Sequence, residues 1–346
     1  MATKHTAKNR AVFTCVILSL IAFCGCKTSS GKQRTGSVTA GNPISNELEI
    51  QATQIIQQAL ANSNPQVRGN AIEIAAGTGH QQFMAEVQRL TKDELVRIRF
   101  IAAVAIGDTK YTAGKSDIAQ LLKDNDENVR LAADYALFVL GGSKSYVEQI
   151  RTAINGNDQQ VRANATFLLG KIGDKKALPL LYQALRDEAS DDRVRLNSIE
   201  AIARLGDEKI YQKIWAMLIS AYADDRVCGI RAMGALGTTQ ARDSLSTMLK
   251  DDLTEVRLVA AEQLGNLGDI AGEKVVIDAL TKDTANAQDQ EAKARIQTLA
   301  ALAIGQIRTP TLKKFLPELL KSEFQFARLA AAKAVFQCAS DSNIGR

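Results

Sequence analysis

The sequence predicts an all-α chain, an α-solenoid or superhelix of about nine stacked helical hairpins, and three observations carry that expectation. The stretch Val161 to Asp174, VRANATFLLGKIGD, returns in variant form along most of the chain. Aromatic residues make up only 5% and prolines number five, while Ala, Leu, Ile, Gln and Lys are plentiful, which suits helices packed through small and aliphatic side chains. No run of alternating β-branched residues reads as a strand. A length of 346 residues alone would suggest two domains, but a stacked array of this size can be one continuous unit.

With Val161 as origin, the equivalent positions are Val67, Ile98, Val129, Val194, Asp225, Val256, Ile296 and Ala327. Successive intervals are 31, 31, 32, 33, 31, 31, 40 and 31 residues. One residue on stand Arg68, Arg99, Arg130, Arg162, Arg195, Arg226, Arg257 and Arg328, with Gln297 the exception. Four residues on, the side chain is small, as in Ala71, Ala133, Ala165 and Gly229; eight on, it is mostly large and apolar, as in Ile106, Leu169 and Leu264. Twelve on come Gly79, Gly141, Gly173, Gly206, Gly237 and Gly268, with Lys110, Arg308 and Ala339 as exceptions. Four columns in phase, at a period between about 20 and 50 residues, are the signature of a repeat array.

Each repeat reads as an amphipathic first helix, a polar break rich in Asp and Asn, a second helix opened by the arginine, and a glycine stop. In the second helix, positions 0, 4, 8 and 11 fall on one face, because four residues are just over one turn. Glycine at position 12 suits a residue with positive φ where the helix ends. One hairpin cannot cover its own apolar face, so neighbours must stack. The 40-residue interval holds an insertion, Asp283 to Ala294, expected as a longer loop or an extended helix end.

The first 25 residues have a basic start, an apolar run of 13 residues from Ala11 to Phe23, and small residues behind it, the pattern of a secretory signal peptide. Thirteen residues are too few to span a bilayer, which takes about 20. Phe23-Cys24-Gly25-Cys26 resembles a bacterial lipobox, which implies cleavage before Cys26 and lipidation of that residue. Phe23 departs from the usual Leu, Val or Ile of that motif. Residues 26–45 are small, polar and basic and read as a flexible tether, and the repeat array occupies 46–346. The resulting expectation is an exported protein of the cell envelope, lipid-anchored on the periplasmic or outer-surface side.

The formal charge of +5 does not mark a nucleic-acid binder. Six basic residues, Lys4, Lys8, Arg10, Lys27, Lys32 and Arg34, precede the first acidic one, Glu47, so the array itself is close to neutral and no nucleic-acid partner is expected.

The VRxxAxxxLGxIGD pattern at about 31 residues is similar to HEAT repeats, in particular the short HEAT-like repeats of phycobilisome lyases, over roughly residues 46–339. HEAT repeats often place Asp six residues ahead of the Arg, and Asp93 with Arg99, Asp124 with Arg130 and Asp251 with Arg257 keep that spacing, as Asn62 does with Arg68. The resemblance implies an arginine–aspartate ladder with a structural role, satisfying loop backbone and tying neighbouring repeats together. Gly156, Ala189, Ser220, Glu291 and Ser322 interrupt it.

Little in the array carries chemistry. Histidine occurs only at His5 and His80, and the paired His-Glu motifs of HEAT-like metal-dependent hydroxylases are absent, so no metal, cofactor or catalytic residue is assigned. Cys228 and Cys338 lie three repeats apart, about 30 Å on a spacing of ~10 Å per repeat, too far for a disulfide to join them. The positive signal is a surface. Position 6 of the second helices points away from the 0, 4, 8 face, and there Val104, Tyr135 and Phe167 form an apolar run over three consecutive repeats. Such a run is either a binding surface on the concave side of the solenoid or packing between helices; Trp215 reads as core. The expected function is a non-enzymatic, lipid-anchored scaffold or adaptor for a protein or peptide, with the membrane engaged through the lipid. The alternative is an enzyme or enzyme subunit of the bilin-lyase type acting on a cofactor-bearing protein.

Overall fold

A computed structural model describes residues 44–340. The signal peptide, the lipidation candidate Cys26 and all of the tether but its last two residues lie outside the described residues. Those described are helical with short turns, and no strand occurs among them. They divide into two compact units, one of residues 60–215 and one of residues 216–340 with 44–59.

A leading helix α1 (Asn46–Leu60) precedes the first arginine-bearing helix, α2 (Pro65–Gly77). Then come α3 (Met84–Arg89), α4 (Val96–Asp108), α5 (Lys115–Leu121), α6 (Glu127–Val139), α7 (Ser145–Ala153), α8 (Gln159–Ile172), α9 (Leu178–Arg186), α10 (Asp192–Arg204) and α11 (Tyr211–Leu218). The rest of the chain supplies α12 (Ala223–Leu236), α13 (Thr239–Met248), α14 (Thr254–Asn266), α15 (Glu273–Asp278), α16 (Gln290–Ile307), α17 (Pro310–Lys313), α18 (Leu316–Leu319) and α19 (Gln325–Ala339). Within residues 60–215 the second helices α2, α4, α6, α8 and α10 pack side by side in chain order, and α4, α6, α8 and α10 are each backed by the shorter first helix of their own hairpin. In the other unit α12, α14, α16 and α19 also pack in chain order, with α13, α15 and α18 behind α14, α16 and α19. This is the all-α solenoid class that the period predicts.

The polar breaks explain where the second helices begin. Asn64, Asp126, Asp158, Asp191 and Asp289 are N-caps whose side chains accept from amides two or three residues on, satisfying donors that a helix start leaves orphaned. The stops are set at the twelfth position. All six glycines there have positive φ, from 65° to 87°, and the exceptions Lys110 and Arg308 adopt the same left-handed conformation at φ 51° and 60°. The backbone therefore requires the turn even where the residue disfavours it.

The arginine column does two jobs. Arg99 donates to the carbonyls of Asp93 and Glu94 in its own hairpin loop at 2.9 and 3.0 Å. It also forks onto both carboxylate oxygens of Asp124 in the next repeat, at 2.8 and 3.0 Å. Arg68 grips Asn62 and Ser63 carbonyls and Asp93 in the same way, and Arg226 reaches Asp251 and Asp252. The aspartate is equally busy: Asp124 Oδ1 also accepts from the Asp126 amide at 2.9 Å, which fixes the loop. Burial alone would raise its pKa, but the hydrogen bonds from Arg99 and the Asp126 amide outweigh burial and lower it. Thus the carboxylate pairs with the arginine of the preceding repeat, and only its main-chain carbonyl serves the arginine six residues on. Where Asp is missing, Ser190 supplements a shifted Asp187 for Arg162, and Ser322 pairs with Gln297.

The glycine that follows the leucine in the VRxxAxxxLGxIGD pattern marks where second helices approach most closely. Nine residues after the origin stand Gly107, Gly170, Gly234, Gly265 and Gly305. A Cβ on Gly107 would stand 2.9 Å from Ala136 Cα, and one on Gly170 2.9 Å from Ala201 Cα, so these backbones touch. The insertion proves to be both things expected of it. Helix α16 begins six residues before its origin rather than two, adding a turn, and a loop precedes it.

Candidate functional site

The second helices α4, α6 and α8 are covered by a neighbour on each side and by a first helix behind, so only a narrow row can reach solvent. The structure moves two of the three sequence-derived surface candidates out of that row. Val104 and Tyr135 retain only 7% and 3% of their exposure, so they lie in the interior and form no open apolar surface. Phe167 alone of the three is half-buried at the surface. Trp215, expected as core, is also half-buried and stacks on Tyr211 with ring centroids 6.5 Å apart. Cys338 is buried, as packing requires.

Around Phe167 the row is charged, with its charges paired. Lys171, one turn further along α8, binds Asp108 of α4 at 2.8 Å. Its ammonium lies 5.5 Å from the Phe167 ring centroid and 5.9 Å from that of Tyr135, within cation–π range. Tyr135 donates its hydroxyl to the other carboxylate oxygen of Asp108 at 2.5 Å. Burial, and then the Asp108 charge, push the Tyr135 pKa upward, so the phenol keeps its proton and acts as a donor. One repeat further on, Arg204 pairs with Glu200 at 2.6 Å. Asp108, Lys171 and Arg204 occupy position 10, one turn beyond position 6, and were not singled out from the sequence; i, i+4 spacing from column 6 would have found them.

Toward the other end of the same helices runs a row of amides. Asn164 donates to Asn128 at 2.8 Å, Gln160 donates to Asn164 at 3.3 Å, and Asn197 donates to the Ala163 carbonyl at 2.8 Å. All four amide side chains are half-buried and none belongs to the arginine ladder. Each carries two N–H donors and a carbonyl acceptor, more capacity than these contacts use.

In the second unit the position-6 side chains Arg231, Glu262, Leu302 and Lys333 are interior. Glu262 is buried with Arg231 and Lys333 near it; burial raises its pKa and those two cations counter the rise. Among the described residues no group of three or more His, Cys, Asp or Glu side chains could hold a metal ion, and no helix is long and apolar enough to cross a membrane.

The fold and this row define an all-helical repeat protein whose variable side chains gather on the second helices. Residues 52–137 and 147–228 match the family model for HEAT repeats, and the chain carries HEAT repeats there. It is similar to the phycocyanobilin lyase subunit alpha of Picosynechococcus sp., 29% identical over 136 residues, which are 36% of this chain and 51% of the relative. The chain thus spans about half the length of that curated relative. Among solved structures it is similar to the complex of CpcE and CpcF of phycocyanin lyase from Nostoc sp., with a TM-score of 0.41, 18% identity, and coverage of 74% of this chain and 96% of that one. Human deoxyhypusine hydroxylase aligns with a TM-score of 0.35 and 17% identity over 85% of this chain and 98% of its own.

Proposed function

We propose that this chain is an exported scaffold, lipid-anchored at Cys26, that holds a protein or peptide partner along the second-helix row of residues 60–215. The observation that carries the reading is the amide row of Asn128, Gln160, Asn164 and Asn197 beside the half-buried Phe167. These polar side chains contribute nothing to the ladder that stacks the repeats. Primary amides match the alternating donors and acceptors of an extended main chain, and a phenyl ring beside them supplies an apolar anchor. Helices about 10 Å apart would meet such a chain, at about 3.3 Å per residue, every third residue.

A second reading has its own support. Similarity to a lyase subunit favours an enzyme subunit acting on a cofactor-bearing protein. Affinity capture from envelope membranes, with wild type beside Phe167→Ala, separates the two. A stable protein partner lost with Phe167→Ala supports the scaffold; a copurifying chromophore or modified product supports the enzyme subunit. The anchor has a separate test. Cys26→Ser should release the mature protein from membranes, and unchanged membrane association would refute lipidation at Cys26.

A further inference from the structure

Three devices join consecutive second helices within residues 60–215, and all three fail at one junction. The first is the arginine ladder. Arg68 is clamped to Asp93, Arg99 to Asp124 and Arg162 to Asp187 and Ser190. At the junction of α6 with α8 the acceptor position holds Gly156, and Arg130 donates to its own loop, at the Asp124 and Asn125 carbonyls. The second device is close backbone approach through glycine at position 9. Gly107 serves it on α4 and Gly170 on α8, and α2 has the small Ala76 there, but α6 carries the bulky, half-buried Phe138. The third is an uncharged side chain at position 5, where Ile72, Ala103, Thr166 and Ile199 are all buried; α6 instead buries Asp134 at 6% exposure, with the Arg130 charge nearby. Positions 1, 5 and 9 share one helix face, so the lost ladder contact, the buried charge and the bulky ring coincide in space.

One contact closes the same junction from the solvent side. Lys171 on α8 reaches across α6 to Asp108 on α4, over the Tyr135 ring, while Tyr135 holds Asp108 from below. The Lys171 side chain is only 8% exposed and that of Asp108 29%, so the ammonium end of the pair is the part shielded from salt.

We infer that the junction between α6 and α8 is the hinge of residues 60–215, with Lys171, Asp108 and Tyr135 as the clasp that keeps it shut. Opening it would part Asn128 from Asn164 and widen the amide row, which gives the row two widths to offer a partner. A pair of amide side chains bridging 2.8 Å is readily exchanged for contacts to an incoming chain.

Hydrogen exchange of the full chain tests this, because local opening shows as faster exchange in the elements that part. In the wild type, buried amides of α6 and α8 should exchange about 10-fold faster than those of α4 and α10. Gly156→Asp restores the ladder acceptor at a site where an added Cβ meets only the Ala153 carbonyl, at 3.3 Å, a tight contact that the loop must relieve by a few tenths of an ångström. It should remove most of that difference. Lys171→Met should enlarge the difference in α6 and α8 and leave α10 unchanged. Uniform exchange across the wild-type second helices, or no response to Gly156→Asp in a protein of unchanged far-UV circular dichroism, would overturn the inference.

Discussion

Arg99 of one repeat and Asp124 of the next are joined by two parallel hydrogen bonds, of 2.8 and 3.0 Å, while each also braces the loop of its own repeat. A forked guanidinium–carboxylate contact fixes both distance and angle, so one residue pair sets loop shape and repeat spacing together. The side chains are 16% and 10% exposed, which shields the pair from solvent without isolating it.

Removing that guanidinium strands a largely buried carboxylate and two loop carbonyls. Arg99→Ala should lower stability by about 2–3 kcal/mol. Arg130→Ala, whose arginine faces Gly156, should cost less, since it removes the loop bonds and the charge beside Asp134 but no inter-repeat fork. Urea unfolding of the two variants side by side checks the difference, and equal losses would show that the inter-repeat arm contributes nothing.

Two glycines inside second helices, Gly69 at position 2 and Gly170 at position 9, separate helix propensity from packing. At Gly69 an added Cβ would lie 3.5 Å from Ile98 Cδ1, an ordinary contact, so Gly69→Ala should stabilise by about 0.5–1 kcal/mol. At Gly170 the Cβ would come within 2.8 Å of Ala201 Cβ, so Gly170→Ala should destabilise by about 1–3 kcal/mol despite the same gain in propensity. Thermal melts of opposite sign are the expected result.

Asp134 gives stability a pH dependence of predictable sign. Burial raises its pKa from 3.8 to about 7, with Arg130 opposing the rise. Between those values the folded protein binds a proton that the unfolded chain has released, so stability falls as pH increases from about 4 to about 7. The cost is complete above 7 and absent below 3.8. Asp134→Asn should therefore stabilise on the order of 1 kcal/mol at pH 8, allowing for solvent screening, and the gain should vanish near pH 4. A gain independent of pH would contradict the assignment to ionised Asp134.

Much of the array was legible because its columns repeat. The arginines, the small fourth position and the glycine stops each recur often enough to be separated from noise, and the structure gives all of them the geometry that their chemistry implies. The ladder was legible only in part. Spacing along the chain pairs Asp124 with Arg130, whereas stacking brings Asp124 against Arg99, a contact 25 residues distant. Val104 and Tyr135 were misplaced for a related reason. A helical wheel shows a face opposite to the 0, 4, 8 stripe, but here neighbouring second helices cover Val104 and Tyr135, and of the three apolar candidates only Phe167 reaches the surface, among charged and amide side chains. Lys171 escaped notice because its importance lies in two residues of other repeats.

The central claim is that the row of Phe167 and the neighbouring amides holds a partner. Titration of the captured partner against the wild type and against a Phe167→Ala, Asn164→Ala variant, with thermal melts recorded in parallel, tests it most directly. The account predicts a loss of affinity of about 10-fold or more with a melt shifted by only a few degrees. Unchanged affinity in the double variant would contradict it.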